Sequence, residues 1–104
     1  MADISIVDGA IGGQFSAPTY RVEQGDTVNF INETILPQLL VIDADSSFVL
    51  SPKGLPGAVK TYKIEPDAST IALQLPRGQA QTWTVTPNPA IATITVYQPA
   101  DRQK

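Results

Sequence analysis

Residues 82–97 read TWTVTPNPAIATITVY. Two β-rich segments, residues 79–86 and 91–97, flank a turn made by Thr86-Pro87-Asn88-Pro89-Ala90. Proline fixes φ and lacks an amide donor, so two prolines around one asparagine end a strand and start a turn. Beyond the turn, Ile94 and Val96 alternate with Thr93 and Thr95, the period of a half-buried strand. Before it, Trp83 and Val85 share a face, and that parity reads Trp83 as core rather than as a stacking platform for a ligand. The stretch predicts a hairpin-like end to a β domain.

Working back along the chain, the same period recurs. Residues 3–7 place Ile4 and Ile6 on one face, 19–23 pair Tyr20 with Val22, and 27–32 point Val28 and Phe30 inward. Asp8-Gly9, Gly12-Gly13 and Gln24-Gly25-Asp26 read as turns. Residues 38–44 carry Leu39-Leu40-Val41-Ile42, apolar on both faces as a central strand is. Residues 46–50 fit either a strand edge or a turn of helix, and 51–59, SPKGLPGAV, are irregular. Residues 60–65 set Tyr62 and Ile64 against Thr61 and Lys63. Residues 69–75 set Ile71 and Leu73 against Ala72 and Gln74. The expectation is an all-β Greek-key sandwich or barrel of about seven or eight strands, with no helix longer than a turn. Residues 1–104 form one domain, ending in a polar tail over 98–104.

Composition narrows the chemistry. The 104 residues contain no cysteine and no histidine. That removes disulfides, thiol chemistry, thiolate and imidazole metal ligands, and the Ser-His and Cys-His nucleophile pairs. The formal net charge is −3. The basic residues do not cluster beyond Lys60 and Lys63, so nucleic acid is not an expected partner. No apolar run reaches membrane-spanning length, and the opening MADISIV has neither the basic nor the apolar region of a signal peptide. Such a start fits a cytoplasmic protein or a mature form with an added methionine. A monomer is expected.

Two anchors carry a resemblance. The first is the 82–97 stretch, and the second is GDTVNFINETILPQLL over residues 25–40. Together they resemble the cupredoxins, the small blue-copper fold, most closely the amicyanin, pseudoazurin and plastocyanin group. In that group the last loop reads Cys-Thr-Pro-His-Pro-x-Met, and the earlier one ends Pro-His-Asn. The resemblance implies that Gln38, Val85, Asn88 and Ile91 stand where the four copper ligands stand in the family. Leu39 then occupies the place of the asparagine that ties the two ligand loops together. A blue-copper site needs two imidazoles, a thiolate and a weak axial thioether. Gln38 and Asn88 offer amide oxygens, and Val85 and Ile91 offer no donor, so no copper and no other cofactor is expected. Val85 and Ile91 are instead expected to fill the old metal cavity with hydrocarbon. Family resemblance also favours a periplasmic or extracellular setting, which the missing signal peptide does not support.

Other patterns have plain readings. Asp43 and Asp45 face the same way in an extended segment, but a Ca²⁺ site wants six to eight oxygens and no such spacing follows. No carboxylate pair marks a glycosidase cleft, and Ser51-Pro52-Lys53 reads as a turn rather than a Ser/Lys dyad. Asn32-Glu33-Thr34 is an N-glycosylation sequon, and Asn32 fits equally well as a loop-locking residue.

The reading is a copper-free cupredoxin-like module, non-enzymatic, that binds a protein partner or plays a structural part. Its docking patch is the former copper-site end, with Leu36, Pro37, Pro87, Pro89 and Ala90 as apolar contacts. Two alternatives stand beside it. One is a small electron carrier of the cupredoxin type, which lacks its His and Cys ligands here. The other is a metal-stripped or engineered scaffold without any partner.

Overall fold

The computed structural model describes residues 2–9, 12–43, 45–76 and 90–98. Nine strands and no helix lie among them: β1 (Ala2–Gly9), β2 (Gly12–Phe15), β3 (Thr19–Glu23), β4 (Thr27–Asn32), β5 (Gln38–Ile42), β6 (Ser46–Leu50), β7 (Val59–Lys63), β8 (Thr70–Leu75) and β9 (Ala90–Tyr97). They form two mixed sheets, ordered β2-β1-β4-β7 and β3-β9-β8-β5-β6. The sheets stack as an open sandwich and not as a closed barrel.

Side-chain alternation makes these strands and sorts their faces. In β4 and β8 every second residue is buried. Ile4, Ile6, Val28 and Phe30 from one sheet meet Leu40, Ile42, Leu73 and Ile94 from the other in a single core. Burying each such side chain contributes about 1.5–3 kcal/mol. Phe30 and Tyr62 meet as tilted rings, centroids 6.2 Å apart. Residues 24–26 turn as expected, with Gly25 at φ 78° and the Asp26 amide donating to Glu23 O at 3.1 Å.

Several expectations need revision. Gly12 and Gly13 open a strand, β2, which pairs antiparallel with β1 through Gly9↔Gly12 and Asp8↔Gly13. Residues 46–50 are a strand at the sheet edge, not helix. The strand expected over 38–44 stops at Ile42. Asp43 has φ 55°, a left-handed conformation that breaks the ladder.

The largest revision concerns the hairpin. The antiparallel neighbour of β9 is β8, in register from Thr70↔Thr95 to Leu75↔Ala90. On its other side β9 pairs in parallel with β3, from Thr19↔Thr93 to Glu23↔Tyr97. Both edges of residues 93–95 are therefore occupied, by β8 and by β3. Residues 79–86, with Trp83 and Val85, lie outside the described residues, as does the tail from Pro99.

Candidate functional site

At the end of the sandwich where β4 finishes and β5 begins, a neutral polar network links the loops of residues 33–37 and 51–58. Asn32 continues the inward parity of Val28 and Phe30, so its amide is buried. Its Nδ2 donates to Leu36 O at 2.8 Å and Ser51 O at 2.9 Å, with Leu50 O at 3.3 Å. Its Oδ1 accepts from the amide and hydroxyl of Thr34 at 2.9 and 2.7 Å. Three carbonyls on one side and an amide on the other leave one orientation for the carboxamide.

Thr34 is buried as well, and its hydroxyl is 3.0 Å from Leu36 O. That hydroxyl also accepts from Gln38 Nε2 at 3.0 Å. Main-chain bonds complete the lacing: Lys53 N donates to Thr34 O and Asn32 N to Ala58 O, both at 2.8 Å, and Ser51 N to Gly57 O at 3.0 Å. Every buried side-chain polar atom among the described residues has a hydrogen-bond partner. A satisfied buried network of this kind rigidifies what it holds.

What it holds outward is apolar. Ile35 is 81% exposed and Leu36 63%, and Pro37 beside them and Leu55 on the neighbouring loop are exposed too. The charges on these loops are Glu33 and Lys53, whose Oε1 and Nζ stand 3.9 Å apart. An exposed pair at that distance adds little stability.

Of the residues singled out from sequence, Gln38 sits at the start of β5, half-buried, its carboxamide facing Thr34 and pressed against Gly13. A Cβ on Gly13 would come within 2.6 Å of Gln38 Oε1. Leu36 and Pro37 are exposed as a docking surface requires, while Ala90 is half-buried opposite Leu75. Val85, Pro87, Asn88 and Pro89 lie outside the described residues. Ile91 does not plug a cavity. It shares the outward parity of Thr93 and Thr95 and is 67% exposed.

Three smaller readings resolve. Asn32 is no glycan acceptor in the folded chain, because its nitrogen is enclosed and bonded to main-chain carbonyls; the loop-locking reading holds. Asp43 Oδ1 accepts from Ala72 N at 2.9 Å and serves as a link between β5 and β8. No group of three His, Cys, Asp or Glu among the described residues is placed to hold a metal ion. Lys53 faces Glu33, so Ser51 and Lys53 form no dyad. The Ile35 exposure and the Asn32–Thr34 network were missed from sequence. The inward parity of residues 28, 30 and 32 was the signal for the second.

No protein-family model matches the chain, and no curated protein does. Solved structures do. A Cu(I) amicyanin carrying the P52G substitution aligns over 92% of this chain and 81% of its own, with TM-score 0.63 and 14% identity. The chain has the cupredoxin fold. Amicyanin from Paracoccus versutus aligns over 92% of this chain and 80% of its own, with TM-score 0.60 and 12% identity. A purple cupredoxin from Nitrosopumilus maritimus aligns over 93% of this chain and its whole length, with TM-score 0.57 and 14% identity.

The copper that the cupredoxin fold implies does not fit these residues. The chain has no thiolate and no imidazole to offer. Gln38 has its amide nitrogen committed to Thr34, and Ile91 points away from the core. A soft, near-trigonal copper site cannot be assembled from carboxamides and aliphatic side chains.

Proposed function

We propose that this protein is a copper-free, non-enzymatic binding module that docks a protein partner through the apolar tip of residues 33–37. The observation that carries the reading is the Ile35-Leu36 pair, largely exposed yet anchored from below by Asn32 and Thr34. Branched apolar side chains held out on an ordered loop bind without first losing loop entropy. Contiguous exposed apolar residues mark interaction sites more often than single ones do. The patch takes in Pro37, and by sequence Pro87 and Pro89 extend it, whereas Ala90 has the inward parity of Ala92 and Ile94 and packs against the core.

The test has two arms. Wild-type protein and the Leu36→Asp, Ile35→Asp and Thr95→Asp variants serve as bait in extract of the source cells, and the recovered partner is titrated against each. Leu36→Asp and Ile35→Asp should lower affinity tenfold or more, because a charge left desolvated and unpaired opposes docking. Thr95→Asp, on an exposed strand face elsewhere, should leave affinity within twofold. Binding should change little with salt, which screens charges and not apolar contact. A partner that ignores Leu36→Asp, or leaves at moderate salt, overturns the docking end.

The second arm concerns copper. Added Cu²⁺ should give no visible charge-transfer band and no rise in Tm, since a ligand of the native state stabilises by RT ln(1 + [L]/Kd). A coloured, stabilised protein would favour the electron-carrier reading instead.

A further inference from the structure

Ala72 places a lone methyl group among larger side chains on the outer face of the five-stranded sheet. Val41, Gln74 and Ile91 form one cross-strand row on that face, Val41 opposite Gln74 and Gln74 opposite Ile91. Ala72 lies in the next row, opposite Thr93. β5 pairs with β8 only at Val41 and Ile42, and at Asp43 a φ of 55° turns the chain out of the ladder. The result is a hollow of about 360 Å³ lined by Val41, Asp43, Ala72, Leu73, Gln74 and Ile91. Small-molecule sites occupy about 300–1,000 Å³.

The lining divides into two kinds of surface. Val41, Ala72 and Ile91 offer hydrocarbon, and Asp43 and Gln74 offer polar groups. Asp43 Oδ1 accepts from the Ala72 amide at 2.9 Å, which fixes the carboxylate at the rim. Its other oxygen and the Gln74 carboxamide have no partner among the described residues. No lysine or arginine lines the hollow, so nothing within it neutralises the carboxylate.

We propose that this hollow binds a small organic monocation, an apolar body ending in one ammonium group. The body lies over Ala72 between Val41 and Ile91. The ammonium meets the free Asp43 oxygen, with the Gln74 carbonyl oxygen as a neutral acceptor in the same hollow. Because the Ala72 amide already takes one carboxylate oxygen, the paired donors of a guanidinium find no matching fork. A compact ammonium needs one oxygen only. An anion of the same shape is repelled by the carboxylate. The hollow is open to solvent on one side and its ligand is small, so binding is weak. The site is on a sheet face and not on the loops of residues 33–37, which makes it independent of the docking reading above.

Amide-resolved NMR of the intact protein, titrated with 2-phenylethylamine to tens of millimolar at low salt, is the experiment. Shifts should gather at residues 41–43, 72–74 and 91 and saturate with a millimolar Kd. 3-Phenylpropionate, which has the same body and the opposite charge, and 2-phenylethylguanidine should each bind threefold or more weaker. Asp43→Asn keeps an acceptor for the Ala72 amide and tolerates the left-handed conformation. Its Tm should hold while its affinity for the amine falls threefold or more. Ala72→Leu, at an exposed position, fills the hollow and should abolish saturable binding. Thr95→Leu, on the same face away from the hollow, should leave affinity within twofold. Shifts that do not saturate, or that gather at residues 33–37 instead, overturn the proposal. So does equal binding of the propionate, tighter binding of the guanidine, or affinity unchanged by Asp43→Asn or Ala72→Leu.

Discussion

Asn32 Oδ1 accepts two hydrogen bonds from Thr34, one from its amide and one from its hydroxyl, at 2.9 and 2.7 Å. This contact converts the end of β4 from a strand terminus into an anchor for the loop that follows it. Asn32→Ala removes both acceptor bonds from the buried Thr34 and frees the carbonyls of Leu36, Leu50 and Ser51, the Leu50 one in a buried place. Leaving a buried polar group unsatisfied costs about 1–3 kcal/mol, so a loss of about 3 kcal/mol is expected in urea denaturation. Expression through a glycosylating secretory pathway should yield folded protein whose mass carries no glycan.

Gly13 and Gln38 should behave as a coupled pair. A methyl group on Gly13 meets the far end of a flexible side chain, and Gln38 can yield only by leaving Thr34. Gly13→Ala should therefore destabilise by about 1–2 kcal/mol, in the range of mild overpacking. Gln38→Ala removes the obstacle, so the double variant should cost less than the two singles summed. A thermodynamic cycle by chemical denaturation checks this, with a coupling of about 0.5–1 kcal/mol expected for groups in contact.

Ile91 and Ile94 differ by strand parity alone. Ile94 is fully buried and Ile91 is mostly exposed. Ile94→Ala should cost about 2–5 kcal/mol, as emptying a core site does. Ile91→Ala should cost under about 0.5 kcal/mol, as surface changes do. Parallel urea titrations of the two variants give the comparison directly.

Two ionisable groups shape the pH dependence. The Thr27 amide, 2.8 Å from Asp26 Oδ1, is the first cause holding that carboxyl below its ordinary value of 3.8. The unfolded chain binds the proton first, so this contribution is present above pH 3.8 and fades as pH falls through the lower folded value. Asp26→Asn should flatten that part of the acid limb. Burial pushes the Tyr62 phenol above 10.0, helped by the charges of Asp43 and Glu65. Here the unfolded chain loses its proton first, so stability falls as pH rises past 10, and Tyr62→Phe should remove that fall. Thermal melts across both limbs check the two signs.

Much of the sandwich is legible in residues such as Val28, Phe30, Ile71 and Leu73, because period-two alternation directly records which face meets the core. β2 escapes that logic, since Gly12 and Gly13 have no side chains to alternate. The backbones approach closely there: a Cβ on Gly9 would lie 2.8 Å from Gly12 O. Ile91 teaches the opposite lesson. Its parity with Thr93 and Thr95 already placed it outside, and a family loop pattern argued it inward. That β8 is the antiparallel neighbour of β9 is a tertiary matter, which the alternation within either strand does not record. At the end where β4 finishes and β5 begins, Leu36 and Pro37 were readable as loop residues. The buried network that fixes them depends on carbonyls of residues 50 and 51, far along the chain.

The position of β9 has a consequence for how the molecule comes into being. It is the last described strand along the chain, yet it lies inside the five-stranded sheet, between β3 and β8. Among the described residues β3 pairs with no other strand, so residues 19–23 gain that ladder when residues 93–97 exist. A ribosome can release β1, β2, β4 and β7 as a complete four-stranded layer while the opposite layer still lacks its centre. That half-built layer exposes its apolar face throughout the interval, the condition under which nascent chains recruit chaperones or aggregate. Closing so long a loop last also makes folding slow for a chain of this size.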